Sequence, residues 1–327
     1  MTSASAIRRV VFALSIIFGA PAIAPATTVA QEQDQTAIAQ EQDETGLAEY
    51  VAEQAPQAFD EPAQAVAALE AAFAADDFDG LVALLGLDAA QVRTNEGAME
   101  SYREVRERAA ERIIVRDEGD QKVLELGREL WPFPFPLART EEDKWAFDTY
   151  AGLDEIIARR VGENELTTIA TVRAYVDAQT AYASLERDSD GVLEYAQKLI
   201  SSEGQTDGLY WPADQGDGDS PAGPFVDEAE ISNDDDGYFG YRYRILTGQG
   251  DNIAGGAYDY VINGNMIAGF ALIAWPARYG VSGVNTFVVS HYGIVYEKDL
   301  GDSTGVIVPY IDRFNPDETW EVVGPSG

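Results

Sequence analysis

The sequence predicts an α+β protein: N-terminal helices plus a curved antiparallel sheet, then a long helix packed on an antiparallel β-meander. Three observations predict it. Residues 238–300 alternate aromatic or β-branched runs with Gly-rich turns, as short antiparallel strands do. Residues 166–185 place Ile169, Val172, Tyr175, Val176, Tyr182 and Leu185 at spacings of three and four, one face of a helix. Residues 112–149 carry a second strand-like series behind shorter helical stretches.

From the start of the chain, Arg8 and Arg9 precede an apolar run, and small residues follow to Ala30. That order reads as a signal peptide over residues 1–30, too short for a spanning helix. It predicts a periplasmic or secreted protein with no membrane span after signal removal. The chain has no cysteine. Disulfides, thiolate metal sites and a lipid-modified cysteine are thereby excluded, so the core alone must hold the fold. Residues 31–57 are rich in Gln, Glu, Asp and Ala and predict a disordered acidic tether.

An N-terminal α+β domain is expected over 58–152. Val66, Leu69 and Phe73 give residues 61–76 a helical stripe; further helices are expected at 81–85 and 99–110. Strands at 112–116 and 122–126 are expected to pair across 117–120. Alternating prolines bar 131–136 from a central strand, and 137–140 with 144–149 form a hairpin. In outline this resembles the cone-shaped fold of nuclear transport factor two.

The C-terminal domain is expected over 153–327. Gly162 closes a short helix and Asn164 caps the long one, whose stripe Gln179 interrupts. Within 239–246, Phe239, Tyr241, Tyr243 and Ile245 face a core while Arg242 and Arg244 face water. Asn263-Gly264 marks a hairpin. Residues 270–275, ended by Pro276, read as a strand buried on both faces; 284–290 and 294–298 pair across His291-Tyr292-Gly293. A long helix followed by such a meander resembles the globular part of pilins and pseudopilins, without their apolar N-terminal stem.

Acidic residues outnumber basic ones by 57 to 22, for a net charge of −35. Nucleic acid and anionic membranes are repelled by such a field. Lysine occurs only at Lys122, Lys144, Lys198 and Lys298, so no basic patch opposes it.

The stretches WPFPFPL at Trp131, RAYVDAQ at Arg173, DSDGVLEYAQK at Asp188 and DGLYWPA at Asp207 stand beside GGAYDYVINGNMIAGFALIAWPARYG at Gly255 and VYEKDLG at Val295. Together they resemble a bacterial exported family catalogued as domain of unknown function 2950. The resemblance implies export and supplies no activity.

Candidate sites come from the residues alone. Glu186, Asp188 and Asp190, then Gly191, Val192 and Glu194, space oxygens as in the first half of an EF-hand loop, which suits calcium. Gln197 stands where a closing bidentate Glu belongs. The alternative is a solvated turn. Tyr210, Trp211, Tyr258, Tyr260 and His291 are candidate ligand-binding residues if exposed, and core if buried. His291 is the single histidine, which bars a histidine metal cluster, and no nucleophile elbow accompanies it. Glu297 and Asp299 flank Lys298 and suggest strand-end charge pairing over an acid–base pair. The Gly-rich stretches 248–250 and 255–256 lack a phosphate-loop pattern. These residues point to an exported, non-catalytic binding or envelope-associated protein whose partner is an envelope polymer or a protein, with no cofactor beyond calcium. A carboxylate-based hydrolase and a pilin-like secretion component are the alternatives.

Overall fold

The computed structural model describes residues 47–95, 97–188, 190–215, 219–223 and 237–324. The expected signal peptide and most of the expected tether lie outside them. The described end of the expected tether, from Leu47, is ordered, however. Leu47 is buried, a 3-10 turn spans Ala48–Tyr50, and Val51 bridges Leu87. The backbone bonds from Ala52 N to Gly86 O and from Asp88 N to Tyr50 O stitch this segment down. Few apolar residues suffice when the backbone itself is paired.

The chain forms two compact units, one ending at Arg159 and the other starting at Arg160. In the first, α1 (Pro62–Ala75), α2 (Phe78–Leu84), α3 (Ala89–Thr94) and α4 (Ala98–Glu111) precede β1 (Ile113–Glu118), β2 (Gln121–Leu126), β3 (Trp131–Pro132), β4 (Leu137–Arg139) and β5 (Trp145–Phe147). Helix starts follow local chemistry. Asp77 accepts Gly80 N at 2.9 Å, and Asp88 accepts both Ala90 N and Gln91 N, which satisfies orphan amides of α2 and α3. The short helix α3 was not expected; its cap is its main sequence signal. β1 and β2 pair down to Glu118↔Gln121, so the turn is Gly119-Asp120 instead of the expected 117–120. Gly119 takes φ +58°, which such a tight turn requires. The sheet order is β1-β2-β4-β5, with β3 pairing β2. Leu69, Phe73, Leu124, Leu126, Leu137 and Phe147 fill the core of this unit.

Helix α5 (Thr149–Tyr182) is continuous. The expected break at Gly162 and cap at Asn164 are therefore incorrect. Asn164 donates instead to Ser282 O at 2.8 Å, a tertiary bond that its local sequence cannot announce. Val172, Tyr175 and Tyr182 are buried as the stripe predicts, while Leu185 lies past the helix end and is exposed.

The second unit adds β6 (Tyr241–Leu246), β7 (Gly248–Gln249), β8 (Tyr258–Asp259), β9 (Val261–Ile262), β10 (Asn265–Met266), β11 (Ala271–Pro276), β12 (Asn285–Ser290), β13 (Val295–Asp299), a single turn α6 (Thr304–Ile307) and β14 (Glu321–Val322). The sheet runs β14-β13-β12-β11-β6, all antiparallel; β7 to β10 form two small ribbons inserted between β6 and β11. Asn263 and Gly264, both at positive φ, turn the β9–β10 hairpin. Residues 271–274 of β11 are fully buried, and Trp275 is half-buried under the Arg244 guanidinium.

Both faces of this sheet are covered, a departure from the expected wet face. On one side lies α5: Tyr243 Oη reaches Thr168 Oγ1 at 3.3 Å and Tyr175 Oη donates to Ala271 O at 3.2 Å. On the other lies the C-terminal segment. Arg244 donates to Val308 O and Ile311 O at 2.8 and 2.7 Å, and Tyr296 packs edge-on to Phe314. Arg244 thus buries its stem and spends its charge on carbonyls rather than water.

Gln179 is fully buried. It donates to Ala196 O and contacts Tyr175 Oη, and its Oε1 accepts Ala196 N at 2.8 Å. Replacing Gln179 by Leu leaves both polar groups of Ala196 unpaired in the core. Chemical denaturation should show a loss of about 2–5 kcal/mol for that variant. An unchanged midpoint would mean that Ala196 finds water.

Candidate functional site

Two features of the second unit bear on function. The first is the acidic turn after α5. Carboxylate oxygens of Glu186, Asp188 and Asp190 lie within 4.8 Å of one another, all three residues exposed. Gly191 takes φ +83°, which lets the chain double back. The chain's own donors already enter the turn. Asp190 Oδ1 accepts Val192 N at 2.7 Å and its Oδ2 accepts Asn265 Nδ2 at 2.5 Å; Glu186 accepts Gly191 N at 3.4 Å. These bonds, from Val192 N first, hold the Asp190 carboxyl below its usual range. Val192 serves the turn through its N–H. Glu194 is outside the trio: its Oε2 accepts Met266 N at 3.1 Å, and burial pushes its carboxyl up. Gln197 donates to Gly264 O at 2.6 Å, so it ties this segment to the hairpin rather than to the turn. Three hard oxygens fit calcium's chemistry, and the flexible, open geometry suits it better than magnesium.

The second feature is a ring cluster at the β12–β13 turn. Tyr258 and Tyr260 meet at 5.6 Å, Tyr260 and His291 at 5.7 Å, and His291 and Tyr292 at 4.2 Å with a tilt of 38°. The hairpin brings His291 and Tyr292 up beside the β8 region because Ala271 pairs with Ser290. Exposure grades across the cluster. Tyr260 is sealed and reaches Gln249 Oε1 at 3.3 Å, Tyr258 is half-buried, and Tyr292 is 59% exposed. Gln249 in turn donates to Gly256 O at 2.8 Å and to Ala254 O, which fixes the Gly255-Gly256 loop against the cluster. Gly269 must be glycine: at φ +140°, a Cβ there would meet His291 Nδ1 at 2.7 Å. Burial lowers the His291 pKa from its ordinary 6.5, so the imidazole is neutral at pH 7.

Of the five aromatic candidates, Tyr258, Tyr260 and His291 converge, and the largely open ring beside them is that of Tyr292, which the sequence places in the turn and not among the candidates. Trp211 is a correction: it is buried, with Arg187 over its ring at 5.0 Å, and presents no binding face. Tyr210 is half-buried in a stretch paired to Leu199 and Ser201. Tyr260 likewise belongs to the core.

The carboxylates do other work. Lys298 pairs with neither neighbour, because strand alternation sends it to the opposite face; it donates to Thr319 Oγ1 at 2.6 Å. Asp299 accepts Gly301 N and Tyr279 Oη. Glu297 is half-buried, its carboxyl pushed up by burial and then by Glu165. Glu165 itself went unnoticed in the sequence. Its Oε1 accepts Val284 N, Asn285 N and Tyr241 Oη, pinning α5 to the start of β12. Residues 119 and 120 positions away carry those amides, so no local pattern could reveal it. Ser202 Oγ accepts from Lys198 Nζ at 2.7 Å, yet that ammonium is held by Asp207 at 2.5 Å. A charged lysine donates and cannot take the serine proton, so this trio braces a loop.

A neutral, half-buried His291 makes a pH prediction. The unfolded chain takes up its proton near 6.5 and the folded chain resists until lower pH, so stability should fall as pH drops below about 6.5. In His291→Asn that slope should shrink; identical pH profiles would mean the imidazole is freely solvated.

No curated protein and no solved structure matches the chain. One family does, over residues 56–323: the family described as a protein of unknown function, DUF2950. The match covers most of the length, and the chain belongs to that family.

Proposed function

We propose that this is an exported, non-catalytic protein that binds a glycan of the cell envelope through the ring cluster, with its second unit stabilised by calcium at the acidic turn. One observation carries the reading. Tyr292 lies open to solvent against His291, which packs edge-on to the sealed Tyr260, itself edge-on to Tyr258. A flat ring held rigid by rings beneath it loses little entropy when a sugar stacks on it. The neutral imidazole adds no charge to oppose a sugar face. Export is supported by Arg8, Arg9 and the apolar run that follows. Strong negative charge suits a soluble exported protein and opposes nucleic acid as the ligand.

Sedimentation with purified, insoluble peptidoglycan tests the binding. The full chain should co-sediment, and Tyr292→Ala should lose about tenfold or more in affinity with an unchanged melting curve, as truncation of a central aromatic anchor does. Equal retention of parent and variant would remove the cluster from the reading.

Calcium is tested separately. Like-charged Glu186, Asp188 and Asp190 repel when ionised, and a hard divalent cation relieves this. Without a closing Glu the affinity should be that of weak extracellular sites. A hundredfold excess over Kd should stabilise the parent by about 2.7 kcal/mol. Melting in chelator and in millimolar calcium should separate the parent but not Asp188→Asn with Asp190→Asn. An equal response in both would leave the turn a turn.

A further inference from the structure

We propose that the ridge at residues 304–311 is a docking element for a protein partner that presents an apolar pocket rimmed by lysine or arginine. The segment reads TGVIVPYI. Its inward residues are sealed: Thr304 is 1% and Val308 0% exposed. Its outward residues are all apolar. Val306 is 70% and Tyr310 83% exposed, and Ile307 and Pro309 beside them are also exposed. Single exposed apolar side chains are ordinary; a run of them on one short ridge marks an interaction surface.

The ridge is held, so little ordering is needed for docking. Arg244 clamps the carbonyls of Val308 and Ile311, and Thr304 Oγ1 donates to Gly301 O at 2.6 Å. Asp302 and Asp312 flank it, both exposed and neither with an ion-pair partner among the described residues. The adjacent Arg313 is committed to Asp259 at 2.6 Å. That anionic border selects the occupant. An anionic lipid surface, or the same face of a second copy, would set like charge against like. A glycan stacks on aromatic faces and offers no pocket for Val306 and Ile307. A protein pocket with a cationic rim complements both the apolar crest and its acidic border, with Tyr310 as the central anchor.

The test places a photoreactive benzoylphenylalanine at Val306, at Tyr310 and, as a control, at exposed Glu70, in the full chain made in its native cells. Positions 306 and 310 should cross-link to one and the same protein, at a peptide where apolar residues adjoin Lys or Arg, and position 70 should not. That partner, purified, should bind the parent chain more weakly as salt rises, and should lose about tenfold or more in affinity for Tyr310→Asp. Val306→Ser provides a second reading should Tyr310→Asp melt early. Cross-links to lipid, to a second copy, or no more than at position 70 would overturn the proposal. So would undiminished binding by folded Tyr310→Asp and Val306→Ser.

Discussion

Strand β11 must be buried on both faces, and the second unit is built to meet that demand. Ala271, Leu272, Ile273 and Ala274 are all sealed. No alternation of polar residues offers water a side, so the strand is stable only between two covers. Helix α5 supplies one and the C-terminal segment around Val308 and Phe314 the other. Each cover spreads over β6 and β12 as well, which explains why charged residues in those strands behave as they do. Arg244 points toward a cover, so its guanidinium must find carbonyls there; Arg242 lies on the exposed part of the strand.

Once the covers are fixed, a few polar groups set their registers. Glu165 holds the start of β12 to α5 through two consecutive amides, and Gln179 holds the strand-like stretch at Ala196 to the same helix. A helix packed only by apolar contacts could slide by a turn with modest loss; a buried carboxylate or amide left without its donors could not. Specific placement here therefore rests on Glu165 and Gln179, side chains whose burial would otherwise be costly.

The division between what the sequence reveals and what it hides follows the range of the physics. Hairpins are local, and Asn263-Gly264 announces one; the caps at Asp77 and Asp88 are local too, but a single capping residue does not mark out a helix as short as α3. The β11–β12–β13 part of the meander is legible for the same reason, since those strands pair with the next in the chain, whereas β6 reaches β11 across two inserted ribbons. Gly162 and Asn164 mislead because their local preference for a helix break is overridden by tertiary contacts such as Asn164 with Ser282. The site is half-legible. Spacing alone brings Glu186, Asp188 and Asp190 together, whereas Glu194 and Gln197 are drawn to the hairpin by Met266 and Gly264, partners remote in sequence. Among the aromatics, composition cannot tell a sealed Tyr260 from an open Tyr292; only the sheet's registration does.

The same logic separates parts that serve the fold from parts left over. Trp211, Tyr260, Glu165 and the Lys198–Asp207 pair each have a structural duty that accounts for their chemistry. Tyr292 and the crest at Val306 and Tyr310 have none: they lie in water, and both are apolar surfaces that folding would sooner bury, whereas the acidic trio is partly committed to closing its own turn. Folding does not explain an apolar crest mounted on sealed anchors or a tyrosine stacked outward on a half-buried imidazole. On the proposed readings a ligand or partner covers these surfaces, and in a chain this acidic that cover must tolerate or complement negative charge.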